Sequence, residues 1–192
     1  MNIEKVFNFI KEKRGYNVPL QYKLLYNLPI TDSDLTIIGN LDLSHSKITK
    51  LPDNLTVYGA LSLRRSNIIE LPENLNVTFE LDLRNTQITE LPKNFDVGSL
   101  DLDRTNFTKL PDNLNLRNFL SIEYTQITKL PDNLKVSTLF MGNTNINEFP
   151  KNLEVEILYC EKTPISRRYN EEQIKELIAQ NGGIVKKMVV FI

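Results

Sequence analysis

The sequence predicts an α/β solenoid, because a unit of about 20 residues recurs along the chain with apolar residues at the same positions in each copy. The clearest copies read LSLRRSNIIELPENL from Leu61, LDLRNTQITELPKNF from Leu81, LDLDRTNFTKLPDNL from Leu100 and LSIEYTQITKLPDNL from Leu120. Each copy combines alternating apolar residues with a Leu-Pro dipeptide. This combination indicates a leucine-rich repeat, in which stacked units share one continuous core.

Each repeat is expected to contribute one short strand to a parallel sheet. The Leu-x-Leu segment alternates apolar and polar residues, which places both leucines on the core side of a strand. Weaker copies begin at Leu41, Leu139 and Leu158, so we expect about seven short parallel strands. Leu-Pro then turns the chain, since proline lacks an N–H group and restricts φ. The return segments show no helical period, which predicts an extended convex side.

Two polar positions recur from turn to turn, and we interpret both as structural. Stacked turns leave backbone donors and acceptors at each bend, and short polar side chains can supply partners for them between neighbouring turns. The asparagine column contains Asn54, Asn74, Asn94, Asn113, Asn133 and Asn152. The hydroxyl column contains Ser46, Ser66, Thr86, Thr105, Thr125, Thr144 and Thr163.

We expect a single leucine-rich repeat domain over residues 1–192, because repeats that share a core do not fold as separate units. Residues 1–35 are assigned to an N-terminal cap, residues 36–166 to the repeats and residues 167–192 to a C-terminal cap. The N-terminal cap is predicted to begin with an amphipathic helix over residues 2 to about 14. The alternative role for that helix is to bind a partner.

The C-terminal cap is predicted to be a helix followed by a strand. Asn170 is a favourable N-cap residue, and Gln173 completes a capping box. The apolar stripe of the helix consists of Ile174, Leu177 and Ile178, and the Gly-Gly pair that follows predicts the helix end. The last segment, IVKKMVVFI, has the composition of a strand. We expect this helix and strand to close the far end of the sheet.

Composition and charge argue against several classes of function. The net charge of −1 is unlike that of nucleic-acid binders or proteins that bind anionic membranes, since both need a basic surplus. No apolar run reaches the roughly 20 residues of a membrane span. Charged residues interrupt the N-terminal segment MNIEKVFNFIKEKRG, so we expect no secretory signal. Cys160 is the single cysteine, which is consistent with a reducing cytoplasm.

We expect no enzyme activity, no cofactor and no metal site. The sequence has no P-loop, no dinucleotide-binding glycine motif and no zinc-ligand spacing. Asp101 and Asp103 would point the same way on one strand, as a carboxylate pair or a metal site would require. The aspartate between the leucines is, however, a repeat feature, and arginines flank it. His45 has no nucleophile within reach, and Cys160 occupies a leucine position and should be buried.

Candidate binding residues lie at the strand positions not taken by leucine, which are expected to line a concave face. Arginine and aromatic side chains are enriched in interface hot spots. The candidate partner-binding residues are Arg64, Arg65, Arg84, Asp101, Asp103, Arg104, Glu123, Tyr124, Phe140 and Tyr159. Replacing Arg64 and Arg84 by glutamate is expected to weaken binding with little change in thermal stability. The alternatives are a solvated charged face whose ion pairs contribute little, and a C-terminal segment that covers Tyr159 and Phe140.

The repeats carry a resemblance to a known group of proteins. The units LDLSHSKITKLPDNLTV, LDLRNTQITELPKNFDV and LDLDRTNFTKLPDNLNL resemble the short leucine-rich repeats of tailed-phage and prophage proteins, over about residues 28–192. In those proteins Ser-Gly often follows the second leucine, whereas this chain has bulkier pairs such as Arg-Arg and Glu-Tyr. More remotely, the repeats are similar to those of effector proteins from enteric bacterial pathogens. The resemblance implies a protein-binding solenoid in the bacterial cytoplasm, without catalytic residues.

These observations together predict a non-enzymatic protein-interaction module. Its partner is expected to be a protein of the host bacterium, such as an enzyme or a defence complex, which the bound solenoid would inhibit by occlusion. The alternative is a structural component of a virion or a self-assembling homo-oligomer. An enzyme is disfavoured because no nucleophile and base converge in the predicted arrangement.

Overall fold

The computed structural model describes residues 18–112 and 114–190, together with Lys5, Asn8 and Glu12, whose backbone is helical. Apart from those three residues, the helix predicted over residues 2 to about 14 lies outside the described residues, as does Asn113. The described chain forms a parallel β-solenoid of about six turns with few helices. Within these ranges, no helix is long and apolar enough to cross a membrane.

The described elements begin with a short helix, continue with nine strands and end with a helix followed by a tenth strand. In chain order they are helix α1 (Leu20–Leu25), a 3-10 turn (Asp32–Asp34), strands β1 (Thr36–Ile37), β2 (Leu41–Asp42), β3 (Thr56–Val57), β4 (Leu61–Ser62), β5 (Leu75–Asp82), β6 (Phe95–Asp101), β7 (Phe119–Ser121), β8 (Lys135–Phe140) and β9 (Glu154–Tyr159), helix α2 (Glu171–Gln180) and strand β10 (Ile184–Val190). All strand pairs are parallel, as predicted.

Each full turn contributes more strand than the sequence indicated. The predicted Leu-x-Leu segments pair in register, with Leu61 beside Leu81 and Leu81 beside Leu100. A second ladder of strand pairs forms on the N-terminal side of the first in each turn, where Val57 pairs with Val77. The two ladders join within single strands such as β5, β6, β8 and β9. The second ladder forms because the segment that follows each asparagine, such as Leu75-Asn76-Val77, also alternates inward and outward side chains.

The core is a stack of apolar residues at equivalent positions of successive turns. In the turn that starts at Leu81, the side chains of Leu81, Leu83 and Ile88 are completely buried. Burying one such side chain stabilises the fold by about 1.5–3 kcal/mol. Cys160 replaces the second leucine of its turn and is buried as predicted. Burial is also the main cause that raises the pKa of its thiol to about 12.

Four members of the asparagine column join neighbouring turns through their side chains, as the sequence predicted. The side-chain amide of Asn74 donates to Oδ1 of Asn54 at 3.0 Å, and that of Asn152 donates to Oδ1 of Asn133 at 2.9 Å. These four residues also have left-handed backbone, with φ between 54° and 61°. Asparagine tolerates this conformation better than most residues. The column therefore has a conformational role in addition to the predicted hydrogen bonds.

The hydroxyl column behaves differently from the prediction. Thr86 donates its hydroxyl to the carbonyl oxygen of Leu83 at 2.7 Å, and Thr125 makes the same bond to Ile122 at 2.7 Å. Equivalent bonds are made by Thr105, Thr144 and Thr163. The prediction that these side chains connect neighbouring turns is therefore wrong. The bend brings a carbonyl three residues upstream within reach, so the hydroxyl closes its own turn.

The C-terminal helix and strand form as predicted. The side chain of Asn170 accepts from the N–H of Gln173 at 3.0 Å, and the side chain of Gln173 accepts from the N–H of Asn170 at 3.0 Å. This capping box satisfies two backbone donors at the start of α2. The helix buries Ile174 and Ile178. Strand β10 then pairs with β9 and adds the outermost strand at this end of the sheet.

A serine-to-threonine change in the hydroxyl column should stabilise the protein. Ser66 is buried, yet its hydroxyl makes no hydrogen bond within the described residues. Threonine restricts the side-chain rotamer and buries one more methyl group, which is worth about 0.8 kcal/mol. We expect Ser66→Thr to raise the free energy of unfolding by about 0.5–1.5 kcal/mol, measured by urea denaturation. Thr86→Ser is the matched reverse change and should lower it. A destabilised Ser66→Thr variant would contradict the conclusion that a threonine hydroxyl at this position closes its own turn.

Candidate partner-binding face

The predicted binding residues lie on the outward side of the Leu-x-Leu strands. We define this strand face by the position between the two leucines and the two positions after the second leucine. Strand register sets Ser62 beside Asp82, and Asp82 beside Asp101. Successive turns are therefore separated by about 4.8 Å along the face. The ten candidates are distributed over six successive turns, from Arg64 to Tyr159.

The second position after the second leucine has left-handed backbone in every turn. The φ angles lie between 54° and 58° at His45, Arg65, Asn85, Arg104, Tyr124, Asn143 and Lys162. This conformation costs roughly 1–2 kcal/mol for most residues and almost nothing for glycine. Five of the seven positions nevertheless carry exposed His, Arg, Tyr or Lys. The fold therefore explains the bend, but it does not explain these side chains.

The N–H group of the left-handed residue connects its turn to the next one at six of these positions, from His45 to Asn143. Arg65 donates to the carbonyl of Arg84 at 2.9 Å, and Arg104 donates to the carbonyl of Glu123 at 3.0 Å. Because the backbone is hydrogen-bonded in this way, the side chains that leave it start from a defined position. The column is thus a row of exposed side chains on an ordered backbone.

Arg84 is held between two buried aspartates. Its guanidinium donates to both oxygens of Asp82, at 2.9 and 2.7 Å, and its Nε lies 3.1 Å from Oδ2 of Asp101. Both aspartates are only 7% exposed. Asp101 therefore does not present its carboxylate to solvent, in contrast to our prediction. Asp82 and Arg84 are fixed to each other in the same way, because each satisfies the charge of the other.

The aspartates between the leucines also close the backbone turn that follows them. Asp42 accepts from the N–H of Ser44 at 2.9 Å, and Asp82 accepts from that of Arg84 at 3.0 Å. Asp101 accepts from the N–H of Asp103 at 3.1 Å. Bonding to a backbone N–H two residues on is a common use of aspartate in turns. These carboxylates are therefore structural.

Asp103 is anchored to the next turn. Its carboxylate accepts from the hydroxyl of Ser121 at 2.6 Å and from the N–H of Glu123 at 2.8 Å. Burial is the largest influence on this group and raises its pKa, and these two hydrogen bonds oppose the rise. The side chain thus belongs to the contacts between turns and offers little to a partner.

Glu123 lies among charges of both signs and is half-buried. Burial is the main cause that raises its pKa to about 7, and the negative charges of Asp103 and Glu161 add to the rise. The positive charges of Arg104 and Lys162 act in the opposite direction. Among the described residues, no ion pair involves the Glu123 carboxylate. The Glu123 carboxylate is therefore not neutralised by a direct ion pair within the described chain.

Three aromatic rings form a continuous patch across three turns. Phe140 stacks on Tyr159 with the ring centres 4.5 Å apart and the planes within 14° of parallel. Phe119 meets the edge of Phe140 at 6.3 Å. Stacked and edge-on pairs of this kind contribute about 0.5–1.5 kcal/mol beyond their area. Phe119 was not among the candidates, although its position directly before Leu120 gives it the same outward direction.

Arg104 and Tyr124 form an exposed pair on the strand face. The guanidinium carbon of Arg104 lies 4.2 Å from the centre of the Tyr124 ring, which is a cation–π contact. Tyr124 keeps 44% of its surface exposed. A planar cation stacked on an exposed ring is a favourable surface for partner contact.

The structure therefore divides the ten candidates into two groups. Three are occupied by contacts within the chain, namely Arg84, Asp101 and Asp103. Seven remain at least partly accessible, namely Arg64, Arg65, Arg104, Glu123, Tyr124, Phe140 and Tyr159. In addition, the Nε of Arg64 is buried and makes no hydrogen bond within the described residues.

Metal binding and cavities are two features of the described residues to compare with the strand face. Over the described ranges, no group of three or more His, Cys, Asp or Glu side chains is placed to hold a metal ion. A cavity of about 720 Å³ is lined by loop and strand residues that include Lys93, Asn94 and Arg117. None of its lining residues belongs to the strand face.

Comparison with known proteins identifies no relative of this chain. No family model, no curated protein and no solved structure matches it. The likeness of its repeat units to those of phage proteins therefore stays an expectation.

In contrast to the expectation from the sequence, replacing Arg84 should cost stability, because its guanidinium pairs with Asp82 and Asp101. Replacing the exposed Arg65 should not. Arg84→Glu removes the partner of Asp82 and Asp101 and adds a third carboxylate between them. An unpaired charge costs about 1–3 kcal/mol, and about 1–2 kcal/mol is expected here because water screens the side chain of Arg84, which is 36% exposed. Arg65→Glu is the matched control and should change stability by less than about 0.5 kcal/mol. Equal urea midpoints for the two variants would contradict the buried ion triad.

The raised pKa of Glu123 predicts that stability falls as the pH rises from about 4 to about 7. In this window the folded protein binds more protons than the unfolded chain, whose glutamates titrate near about 4.3, so the slope is negative. Above about pH 7 both forms are ionised and the contribution levels off. Glu123→Gln should weaken the slope and be more stable than the wild type at pH 7.5, measured as Tm between about pH 5 and 8.

The matched control for this pH profile is Glu154→Gln. The hydrogen bond from Lys135 is the main cause that lowers the pKa of Glu154, so its contribution is lost only at more acidic pH. This variant should keep the slope of the wild type. Part of the slope should also persist in Glu123→Gln, because burial and the charge of Asp103 raise the pKa of Asp101 to about 7. A Glu123→Gln profile identical to that of the wild type would disprove the assignment.

Proposed function

We propose that this chain is a leucine-rich repeat protein that acts as a non-enzymatic interaction module and binds a protein partner through the strand face. The observation that carries the proposal is the column of left-handed positions that bear large exposed side chains. Residues other than glycine in left-handed backbone cluster at functional sites, and the bend itself does not require large side chains at these positions. Here the conformation favours glycine, while the chain has Arg65, Arg104 and Tyr124.

The size and composition of the face support the same proposal. The seven left-handed positions from His45 to Lys162 are separated by six steps of about 4.8 Å, which gives a length of about 30 Å. A face of this length can supply the roughly 800 Å² that each side of a standard protein interface buries. Arginine and aromatic residues dominate its accessible part, and both are enriched at interface hot spots.

The repeat pattern and its resemblance to phage proteins support a cellular setting for this activity. We place the protein in the cytoplasm of a bacterium, where a phage-encoded binder meets host proteins. By covering the surface of a host enzyme or defence complex, the solenoid would block it without any chemistry of its own. The anchored state of Arg84, Asp101 and Asp103 is consistent with this role, because a rigid face loses little entropy on binding.

A second candidate function is self-assembly into a structural component. Its supporting observation is a row of exposed apolar side chains near the β1 end of the sheet. Ile38, Tyr58 and Phe79 are 92%, 57% and 59% exposed, respectively. Large exposed apolar groups at neighbouring positions are typical of interaction surfaces. Light scattering on the isolated protein tests this candidate, which requires a discrete oligomer in the absence of any partner.

The interaction module is tested by a triple glycine variant, Arg65→Gly with Arg104→Gly and Tyr124→Gly. Folding should be preserved because two effects of glycine oppose each other. Glycine adopts the left-handed backbone without steric cost, and this gain offsets the higher conformational entropy that it gives the unfolded chain. Partner capture from bacterial lysate, followed by calorimetry with the identified and purified partner, should show at least about a ten-fold loss of affinity. Urea denaturation verifies that the variant is folded.

The matched control changes three exposed residues outside the strand face, with Asn67→Ala, Asn106→Ala and Gln126→Ala. It should bind like the wild type. Unchanged affinity in the triple glycine variant would overturn the proposal. A discrete oligomer of the wild type that captures no partner would instead support self-assembly.

A further inference from the structure

We infer that the C-terminal half of the strand face binds an arginine side chain of the partner, held between the carboxylates of Glu123 and Glu161 and beside the stacked rings of Phe140 and Tyr159. This inference rests on the proposed function, because it specifies the chemistry of the partner. It concerns residues of the strand face other than those altered in the triple glycine variant.

The first argument is the convergence of the two glutamates over Gly142. The position after the second leucine carries Glu123 in one turn, Gly142 in the next and Glu161 in the one after. The N–H of Tyr124 donates to the carbonyl of Gly142, which places these strands side by side. A Cβ atom on Gly142 would lie 2.6 Å from Oε1 of Glu123 and 3.0 Å from Cγ of Glu161. Both side chains therefore lean into the space that glycine leaves open.

The second argument is the lack of a neutralising cation in direct contact. Among the described residues, no ion pair involves Glu123 or Glu161. Arg104 and Lys162 lower the pKa of Glu123 through their charge, yet burial and the surrounding acids outweigh them. Two carboxylates brought together without a bound cation repel each other. A cation from a partner would relieve this repulsion, which makes the site complementary to positive charge.

The third argument is the aromatic surface beside the carboxylates. Phe140 lies two residues before Gly142 on the same strand face, and Tyr159 lies two residues before Glu161. Their stacked rings therefore run alongside the acidic pair. A guanidinium group is planar, stacks on aromatic rings and donates to two carboxylates at once. Arginine satisfies both features of the site, whereas a compact ammonium group satisfies mainly the charge.

The sign of charge along the face is consistent with this assignment. The same column carries Arg64 and Arg84 in earlier turns and Asp103, Glu123 and Glu161 in later ones. Arg84 is already neutralised by its aspartates, whereas Arg64 has no ion pair among the described residues. A partner segment with an arginine over Gly142 and an acidic group about 19 Å away, four turns earlier, would match the face. Because Arg64 and the Glu123–Glu161 pair carry opposite charges, they would determine in which of two opposite orientations the partner segment binds along the face.

The inference is tested by NMR titration of the ¹⁵N-labelled full chain with a short peptide, acetyl-Gly-Ser-Leu-Arg-Leu-Ser-Gly-amide. We expect the Gly142 amide signal to shift and saturate at millimolar or lower peptide concentration. The same peptide with citrulline, which keeps the shape of arginine without its charge, should bind at least about ten-fold more weakly. The double variant Glu123→Gln with Glu161→Gln should reduce arginine-peptide binding by at least the same factor.

A matched double variant, Glu154→Gln with Glu156→Gln, controls for the loss of negative charge. These exposed carboxylates pair with Lys135 and Lys187 away from the strand face, so binding should persist. Absence of a Gly142 shift up to about 5 mM peptide, or equal affinity for the citrulline peptide, would overturn the inference.

The same variants separate this inference from the proposed function. If the triple glycine variant loses the cellular partner while Glu123→Gln with Glu161→Gln retains it at full affinity, the arginine site is wrong and the interaction module stands. If the double variant alone loses the partner and the arginine peptide, the arginine site stands, and the left-handed column is not the contact surface.

Discussion

The structure depends on one constraint, which is that every turn must return the chain to a position beside its own start. Backbone hydrogen bonds between turns enforce this return, and they continue past the strands through the N–H groups of left-handed residues such as Arg65 and Arg104. The spacing between turns is not constant, because the step from Leu81 to Leu100 is one residue shorter than the step from Leu61 to Leu81. An irregularity between Val77 and Glu80 absorbs the difference. Gly98 permits it, since a Cβ there would lie 2.5 Å from the carbonyl of Phe79.

This constraint divides the polar residues of the repeat by role. Those that satisfy backbone groups at the bend are committed to the fold, as Thr86 and Asp82 illustrate. Those that leave an already satisfied backbone, such as Arg65 and Tyr124, have no such role. The distinction matters because both classes recur at regular spacing, and regular spacing alone does not separate scaffold from surface. Hydrogen-bond partners do separate them.

Much of the fold was predictable from the sequence, while the candidate site was predictable only in part. The repeat period, the parallel strands, the buried leucine positions and the capping box at Asn170 all follow from local patterns, because each depends on alternation or on spacing of a few residues. The same patterns identified the face. They could not show that Asp101 is buried under Arg84, since that depends on how two neighbouring turns align. The left-handed column was missed because Arg, Tyr and Lys do not signal positive φ.

The sequence by itself determined that this protein is a solenoid and which residues form its core, because hydrophobic periodicity is a property of the chain alone. Only the tertiary structure decided which of the outward side chains remain accessible. Their availability depends on contacts between turns about 20 residues apart, such as Ser121 with Asp103 and Phe140 with Tyr159. These contacts arise from stacking, so no single repeat contains the information. The physical reason is that the surface of a solenoid is formed by side chains from neighbouring repeats in contact, whereas the sequence pattern describes one repeat at a time.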